Sequence, residues 1–337
     1  MQLENNTSFS AERYGVSDEN GAGLLLILVK GTYEFDEKGS LTIAENQEPI
    51  EMADQYYGEP GDSSIKYASD FSFDKLATDI ALIGHAYAPN GQATESLVTL
   101  QVGNLQKSIK VFGDRYWEKT IGFSIATKPV PFEKIPLIYE RTFGGVDGSH
   151  SDPKKHESET HNPVGVGFRA KKSKLPIDGT KLPNLENPRK LIKSPDDRPD
   201  PVGFGFISPA WQPRAGFAGT YDKAWQDSRM PLLPKDFDKR FFNAAHPDLV
   251  YDGFLRGNEQ VSVKGVSPRG ILQFSLPGDL PISTIQIKEN EEQQVDMNPD
   301  KLVIMPDESQ VILVWSGSLR IQCEFLDIDT IICEIKN

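Results

Sequence analysis

Proline is concentrated in the middle of this 337-residue chain, and this distribution limits the possible folds more than any other feature of the sequence. Thirteen of the 24 prolines lie between Pro129 and Pro213. Proline fixes φ and lacks a backbone N–H, so this density is incompatible with long helices and with continuous central strands. Aromatic residues are nevertheless frequent there, whereas disordered segments contain few of them. We therefore expect an ordered irregular layer that packs on a scaffold, with 146–161 as its most mobile part.

Strand-like sequence flanks this region on both sides. Segments rich in β-branched and aromatic residues, bounded by turn-forming residues, occur at 24–35, 79–88, 96–102 and 108–112, and again at 261–264, 271–276, 282–287, 302–305, 311–315, 319–326 and 331–335. Segments 96–102 and 108–112 are expected to form a hairpin, and 316–318 is expected to be a turn.

These patterns predict a mainly β fold, with an antiparallel β-sandwich-like scaffold, a long Pro/Gly-rich irregular layer and a few short helices. The expected regions are 1–125 (N-terminal β), 126–250 (irregular, with short helices) and 251–337 (C-terminal β), together forming one compact unit. The two β regions are expected to pack on each other beneath 126–250. Two short helices are predicted: 221–229, with Thr220 as N-cap, and Asp236 to Ala245.

The charge balance excludes several classes of partner. The chain has 36 Lys and Arg against 49 Asp and Glu, a net charge of -13, which disfavours nucleic acid and anionic membranes as partners.

The longest aliphatic run, Leu24 to Val29, is far shorter than the ~20 residues that span a bilayer. The N-terminal sequence carries no export signal, so we expect a cytoplasmic protein. Cys323 and Cys333 are expected to be buried thiols, and the basic segment 169–198 is either a contact for an acidic partner or a solvated loop.

The sequence lacks the anchors of common enzyme chemistry. It contains no G-x-x-x-x-G-K-S/T, G-x-S-x-G or H-E-x-x-H motif, so we expect neither an enzyme nor a cofactor. His150, His156 and His161 are weak candidates for metal ligands, because their spacing fits no structural zinc motif. The alternative function is a metal-dependent hydrolase that uses Asp236, Asp238, His246 and Asp248.

Aromatic residues and arginines are frequent in 201–242. These residue types dominate the hot spots of protein interfaces, although the same types also form cores. The set comprises Trp211, Arg214, Phe217, Tyr221, Trp225, Arg229, Phe237, Arg240, Phe241 and Phe242. At least half of them are expected to hold the irregular layer on the sheets.

Several strings of the sequence resemble domain of unknown function family 2169 of bacteria. They comprise Ser64, Lys66, Tyr67, Asp70, Lys75 and Asp79, then 84–89 (GHAYAP), 111–117 (VFGDRYW), 131–145, 162–168 (NPVGVGF), 182–188, 201–225 and 231–248. They follow the family order from about residue 20 to 280.

The resemblance implies an adaptor or chaperone of the bacterial type VI secretion system. Such a helper binds a secreted effector protein and loads it onto a spike protein of the valine-glycine-repeat or PAAR type. The partner-binding candidates are Trp211, Arg214, Tyr221, Trp225, Arg141 and Phe143, and at least one of the first four should be partly exposed in the free protein. Arg214 has two interpretations: it grips the effector, or it is a buried strut that satisfies carbonyls of the layer. A third hypothesis is a structural part of the spike.

Overall fold

The computed structural model of the protein describes residues 1–36, 38–288, 291–321 and 325–336. Strands account for 41% of the chain and helical residues for 9%, which confirms the mainly β prediction. Within the described residues the single α-helix is α1 (Lys223–Ser228). Short 3-10 turns occur at Pro89–Gly91, Tyr139–Arg141, Pro153–Lys155, Arg214–Phe217, Lys239–Phe242, Pro247–Leu249 and Phe325–Asp327.

The strands in chain order are β1 (Gln2–Asn5), β2 (Ser10–Ser17), β3 (Gly23–Phe35), β4 (Leu41–Ile43), β5 (Gln55–Tyr56), β6 (Ile65–Tyr67), β7 (Asp79–Leu82), β8 (His85–Tyr87), β9 (Glu95–Val102), β10 (Leu105–Phe112), β11 (Trp117–Lys119), β12 (Ser124–Ala126), β13 (Lys134–Pro136), β14 (Phe143–Gly144), β15 (Val146–Asp147), β16 (Glu157–Ser158), β17 (Val166–Gly167), β18 (Leu185–Glu186), β19 (Gln260–Lys264), β20 (Leu272–Ser275), β21 (Pro281–Ile287), β22 (Glu291–Asp296), β23 (Asn298–Met305), β24 (Gln310–Arg320) and β25 (Ile328–Ile335).

The main sheet has the strand order β2-β3-β24-β23-β7, and β4 also pairs with β3. Residues 24–33 of β3 are buried on both faces, which explains their nearly continuous apolar sequence. β3 pairs antiparallel with β24 in a register that places Gly31 opposite Leu313. The N-terminal and C-terminal β regions therefore share hydrogen-bonded ladders, a closer association than the predicted packing.

Two further sheets complete the scaffold. One has the order β18-β10-β9-β19-β20 and contains the predicted hairpin β9–β10, with a two-residue turn between Val102 and Leu105. The other has the order β1-β25-β21-β22, in which β1 runs parallel to β25. Buried side chains from all three sheets form one continuous core, which includes Cys333. This confirms Cys333 as a buried thiol, whereas Cys323 lies outside the described residues.

The irregular layer is fixed by hydrogen bonds from buried side chains, of which Asn162 is the best example. Its Nδ2 donates to the carbonyl of Tyr139 at 2.9 Å, to Thr142 Oγ1 at 2.8 Å and to the carbonyl of Phe143 at 3.0 Å. Gly144 passes this site at a φ of 151°. The layer also joins the main sheet, because the Leu82 N–H donates to the Phe204 carbonyl at 3.0 Å. Within 146–161, β15 pairs with β16, and its mobility stays a prediction.

Both predicted helices are corrected by the structure. α1 begins at Lys223, and its N-cap is Asp222 rather than Thr220, because Asp222 Oδ1 accepts the Trp225 N–H at 2.9 Å. The predicted helix from Asp236 to Ala245 is reduced to the 3-10 turn Lys239–Phe242. Asp79 explains the difference, since it accepts the Ala244 N–H at 2.7 Å and so holds the chain extended there.

Candidate functional site

Two of the six predicted partner-binding residues lie in the interior. Trp211 and Phe143 are each 4% exposed. The Trp211 ring packs edge-on against Tyr139, with a centroid distance of 5.6 Å and an interplanar angle of 84°. A partner could not reach either side chain in this structure, so we assign both residues to the core.

Arg214 has the contacts expected of a strut. Its Nε donates to the Phe241 carbonyl at 2.8 Å, and its Nη1 donates to the Ile207 carbonyl at 2.9 Å. The guanidinium also lies over the Phe241 ring, 5.1 Å from its centroid. Desolvation lowers the pKa of Arg214. The second interpretation of Arg214 therefore fits the structure better than the first.

Tyr221 and Trp225 lie on a surface element that we call the aromatic arm, residues 219–234. Tyr221 is 51% exposed, which confirms that at least one candidate side chain is accessible. Its ring meets the half-buried Trp225 ring edge-on, with a centroid distance of 4.7 Å. Trp225 Nε1 donates to the Leu232 carbonyl at 2.8 Å, which fixes the orientation of the indole.

The aromatic arm is fastened at both ends. Asp236 accepts the Thr220 N–H at 3.0 Å and the Thr220 hydroxyl at 2.7 Å, and these bonds lower the pKa of Asp236. Arg229 Nε donates to the Leu233 carbonyl at 2.7 Å, and its Nη2 donates to the Glu19 carbonyl at 2.6 Å. The arm therefore presents its aromatic pair in a fixed orientation.

A groove of about 390 Å³ lies beside the arm. Its aromatic lining consists of Phe73, Phe237 and Phe242, with centroid distances of 4.9 Å (Phe73–Phe242) and 5.3 Å (Phe237–Phe242). An ion pair between Lys239 and Asp74 at 3.0 Å lies among the lining residues. Phe237 and Phe242 belong to the aromatic run recognised in the sequence, whereas Phe73 is remote from that run. Its one sequence signal was its position between the family residues Asp70 and Lys75.

Arg141, the remaining candidate, belongs to a different surface. It is half-exposed, with Nη1 at 3.2 Å from Asn184 Oδ1 and 3.7 Å from Asp114 Oδ1. Asp114 also pairs with Lys181 at 2.8 Å. These contacts place Arg141 at the base of the hairpin β11–β12, not on the aromatic arm.

The four residues of the hydrolase alternative divide into three separate sets of contacts. Asp236 bonds Thr220, and Asp238 bonds Arg240 at 2.6 Å. His246 and Asp248 instead share Lys107, whose Nζ donates to His246 Nδ1 at 2.7 Å and to Asp248 Oδ2 at 2.9 Å.

Both ring nitrogens of His246 are occupied. Nδ1 accepts from Lys107, and Nε2 donates to the Pro201 carbonyl at 3.2 Å. Burial, together with the neighbouring Lys107 charge, lowers the pKa of His246 and keeps the ring neutral. This arrangement leaves the imidazole no free lone pair with which to accept a proton from a substrate.

The three histidines of 146–161 are exposed and have separate partners. His150 Nδ1 accepts the Asp152 N–H, His156 Nε2 donates to the His150 carbonyl at 3.0 Å, and His161 Nδ1 lies 2.8 Å from Glu159 Oε1. No group of three or more His, Cys, Asp or Glu side chains within the described residues is arranged to hold a metal ion.

A buried ion cluster, comprising Lys30, Asp70, Lys75, Asp79 and Lys301, accounts for several family residues. Asp70 lies 3.0 Å from Lys30 Nζ and 2.7 Å from Lys301 Nζ, and Lys75 lies 2.8 Å from Asp79. All five side chains are at most 5% exposed. Asp70, Lys75 and Asp79 are among the family strings, whereas Lys30 and Lys301 were not expected from the sequence. A charged residue inside the apolar run 24–35 was an available signal for Lys30. The cluster joins strands to the loop before β7 and therefore has a structural role.

The fold and these contacts define a mainly β protein whose irregular layer carries an exposed aromatic element. The chain belongs to domain of unknown function family 2169, described as an uncharacterized protein conserved in bacteria, and the match covers residues 20–316. Comparison with curated proteins found no match, and neither did comparison with solved structures. In the part of the chain that the structure describes, no helix is sufficiently long and apolar to cross a membrane.

Proposed function

We propose that this protein is a cytoplasmic adaptor or chaperone of the type VI secretion system. It binds a cognate effector protein and helps to load it onto a spike protein of the valine-glycine-repeat or PAAR type. The observation that carries the proposal is the aromatic pair of the arm, in which the exposed Tyr221 packs on the half-buried Trp225, while other arm residues line the groove. The secretion context comes from the family resemblance of the sequence.

The arm has the properties of an interface anchor. Tyr and Trp combine a large apolar surface with few rotatable bonds, so they lose little entropy when a partner binds. Trp225 is already fixed by its bond to Leu232 and Tyr221 by its contact with Trp225, which reduces that cost further.

The groove supplies a complementary pocket. Its phenylalanine rings suit an apolar side chain of the effector, and the flanking Lys239 and Asp74 offer one charge of each sign to the effector backbone or side chains. The net charge of -13 favours a basic effector through long-range attraction.

The first test is deletion of the gene in its bacterial host. Secretion or stability of one effector encoded beside the gene should be lost, whereas the tube protein should still be secreted. Loss of tube secretion as well would favour a structural part of the spike over an adaptor.

The second test localises the binding surface. Tyr221→Ser should weaken co-purification of that effector tenfold or more, equivalent to ~1.4 kcal/mol, without lowering the melting temperature. Ile271→Ser is a matched control, because Ile271 is 54% exposed and lies outside the arm and groove. Equal co-purification by the two variants would refute the arm as the binding surface.

A further inference from the structure

The hairpin formed by β11 and β12, which we call hairpin 116–127, exposes apolar side chains at its tip and along one strand. The exposed fractions are 100% for Ile121, 64% for Phe123 and 42% for Ile125. The Thr120 N–H closes the turn by donating to the Phe123 carbonyl at 2.9 Å. Gly122 has a φ of 91°, which glycine adopts without strain, so the turn is a built feature of the chain.

One edge of hairpin 116–127 is already paired. Trp117 donates its N–H to the Thr180 carbonyl at 2.9 Å and accepts the Gly179 N–H at 2.8 Å. Lys119 donates its N–H to Asp178 Oδ1 at 2.8 Å. The segment 178–180 therefore covers the β11 side of the hairpin.

The other edge, along β12, has backbone groups without a partner among the described residues. In an antiparallel pair of strands, hydrogen-bonded and non-hydrogen-bonded residue pairs alternate. Tyr116 is bonded to Thr127 and Thr120 to Phe123, so the bonded pair between them is Glu118 with Ile125. The N–H and C=O groups of Ser124 and Ala126 must then point away from the hairpin. Such an edge is a template for strand addition.

The apolar side chains are placed beside this free edge. Cross-strand partners project from the same face, so Phe123 and Ile125 share a face with Glu118 and Tyr116, whereas Trp117 is buried on the opposite face. The Tyr116 ring is also exposed. A strand added to β12 would therefore meet backbone hydrogen-bonding groups and an apolar face together.

The charge around hairpin 116–127 is opposite in sign to that of the whole protein. Segments 114–128 and 169–181 contain eight Lys and Arg but three Asp and Glu, on a chain of net charge -13. Lys128, Lys171, Lys172 and Lys174 are exposed, and none has an ion-pair partner within the described residues. Lys128 lies just after β12, whereas 171–174 precede the segment that covers β11, so these lysines attract an acidic partner mainly through long-range electrostatics.

We propose that the β12 edge of hairpin 116–127 binds an extended acidic segment of a partner protein, with apolar residues at alternate positions, as an added strand. Its backbone pairs with Ser124 and Ala126, and its apolar side chains contact Phe123 and Ile125. Its carboxylates are attracted by Lys128, which lies just after β12, and at longer range by the lysines of 171–174. An anionic membrane would satisfy the lysines but would leave the backbone groups of the edge unpaired. This site does not depend on the function proposed above, since it lies away from the aromatic arm and favours acidic segments.

The test measures binding of a fluorescently labelled peptide of alternating Val and Glu to the full chain. We expect binding that weakens as salt is raised, and at least tenfold weaker binding to Ser124→Pro. Proline at this position removes an outward N–H and leaves the inward ladder intact, and Ser124→Ala is its control. The melting temperatures of both variants should match the unmodified protein.

A second pair of variants tests the charge. Lys171→Glu combined with Lys172→Glu should weaken peptide binding at least tenfold, whereas Lys38→Glu combined with Lys264→Glu, the same charge change on other exposed strands and turns, should not. The proposal would be overturned if Ser124→Pro and Ser124→Ala bound the peptide equally well, or if a peptide of alternating Val and Lys bound as tightly as the Val and Glu peptide. It would also be overturned if Ser124→Pro left peptide binding unchanged but abolished a self-dimer or the binding of phosphatidylserine vesicles.

Discussion

Removing the central carboxylate of the buried ion cluster should destabilise the protein severely. Asp70 neutralises Lys30 and Lys301 at 3.0 and 2.7 Å and also accepts the Glu51 N–H at 2.8 Å. Asp70→Asn would leave two buried ammonium groups with carbonyl acceptors only. Breaking a buried pair in this way costs ~3–5 kcal/mol, a large part of the ~5–15 kcal/mol typical of a folded protein.

The expected loss can be measured by thermal and urea unfolding. An unfolding entropy of ~2.1 cal/mol/K per residue converts ~4 kcal/mol into a fall in melting temperature of ~6 °C for a chain of this length. Asp62→Asn is the matched control, because Asp62 is exposed and its side chain makes no ion pair within the described residues. Replacing all three charges, with Lys30→Met, Asp70→Leu and Lys301→Met, should recover most of the lost stability.

The pH dependence follows from the same contacts. Desolvation of Asp70 acts to raise its pKa, but the charges of Lys301 and Lys30 outweigh it, so the pKa is lowered. The folded state therefore holds the carboxylate deprotonated, and its stabilising contribution is present above pH ~4 and lost as pH falls further. A loss below ~1 kcal/mol in Asp70→Asn, or an unchanged acid limb of the stability curve, would refute this reasoning.

Burial lowers the pKa of Lys107 to about 8, so stability should rise between pH ~8 and ~10.4, by up to ~1.4 kcal/mol per unit, and urea unfolding of Lys107→Met should lack this rise. Gly144→Ala should lower the free energy of unfolding by ~3 kcal/mol or more, because its Cβ would lie 2.1 Å from the Asn162 carbonyl oxygen at a φ of 151°. Gly61→Ala, which has open space around it at a φ of 90°, should lower it less in the same thermal unfolding measurement. Equal losses of stability in the two variants would contradict the steric explanation. Arg214→Ala should lower stability by ~2–4 kcal/mol through two carbonyls left unpaired; an unchanged melting temperature with lost effector binding would restore the gripping interpretation.

The apolar strands could be predicted from the sequence, whereas the polar and interrupted ones could not. β22 consists of Glu291–Asp296 and is almost entirely exposed, so it carries no apolar alternation. The segment 316–318, which was expected to be a turn, instead lies within β24, where Gly317 pairs with Ile27. A Cβ on Gly317 would lie 2.7 Å from the Val295 side chain, so glycine is needed for this close packing. Glycine and serine usually indicate a turn, and here tertiary packing overrides that preference.

From the sequence, the residue types of the candidate site could be predicted, but not which of them are exposed. The run 201–242 correctly indicated an aromatic surface at Tyr221, but the same residue types form the core at Trp211. No property of a single residue distinguishes the two, because burial depends on segments distant in the chain. Hairpin 116–127 was not predicted either, since its exposure is a property of the turn and of the register of β11 with β12.

The pairing of β3 with β24 sets the order in which this chain can acquire its structure during synthesis. Gly31 and its neighbours in β3 can pair with β24 only after Leu313 has been synthesised. At ~5–20 residues per second, a ribosome needs on the order of tens of seconds to make the intervening chain. During that interval the most apolar strand of the protein has no partner on one edge. Nascent chains should therefore depend on ribosome-associated chaperones, and folding should be completed only after β24 has left the exit tunnel.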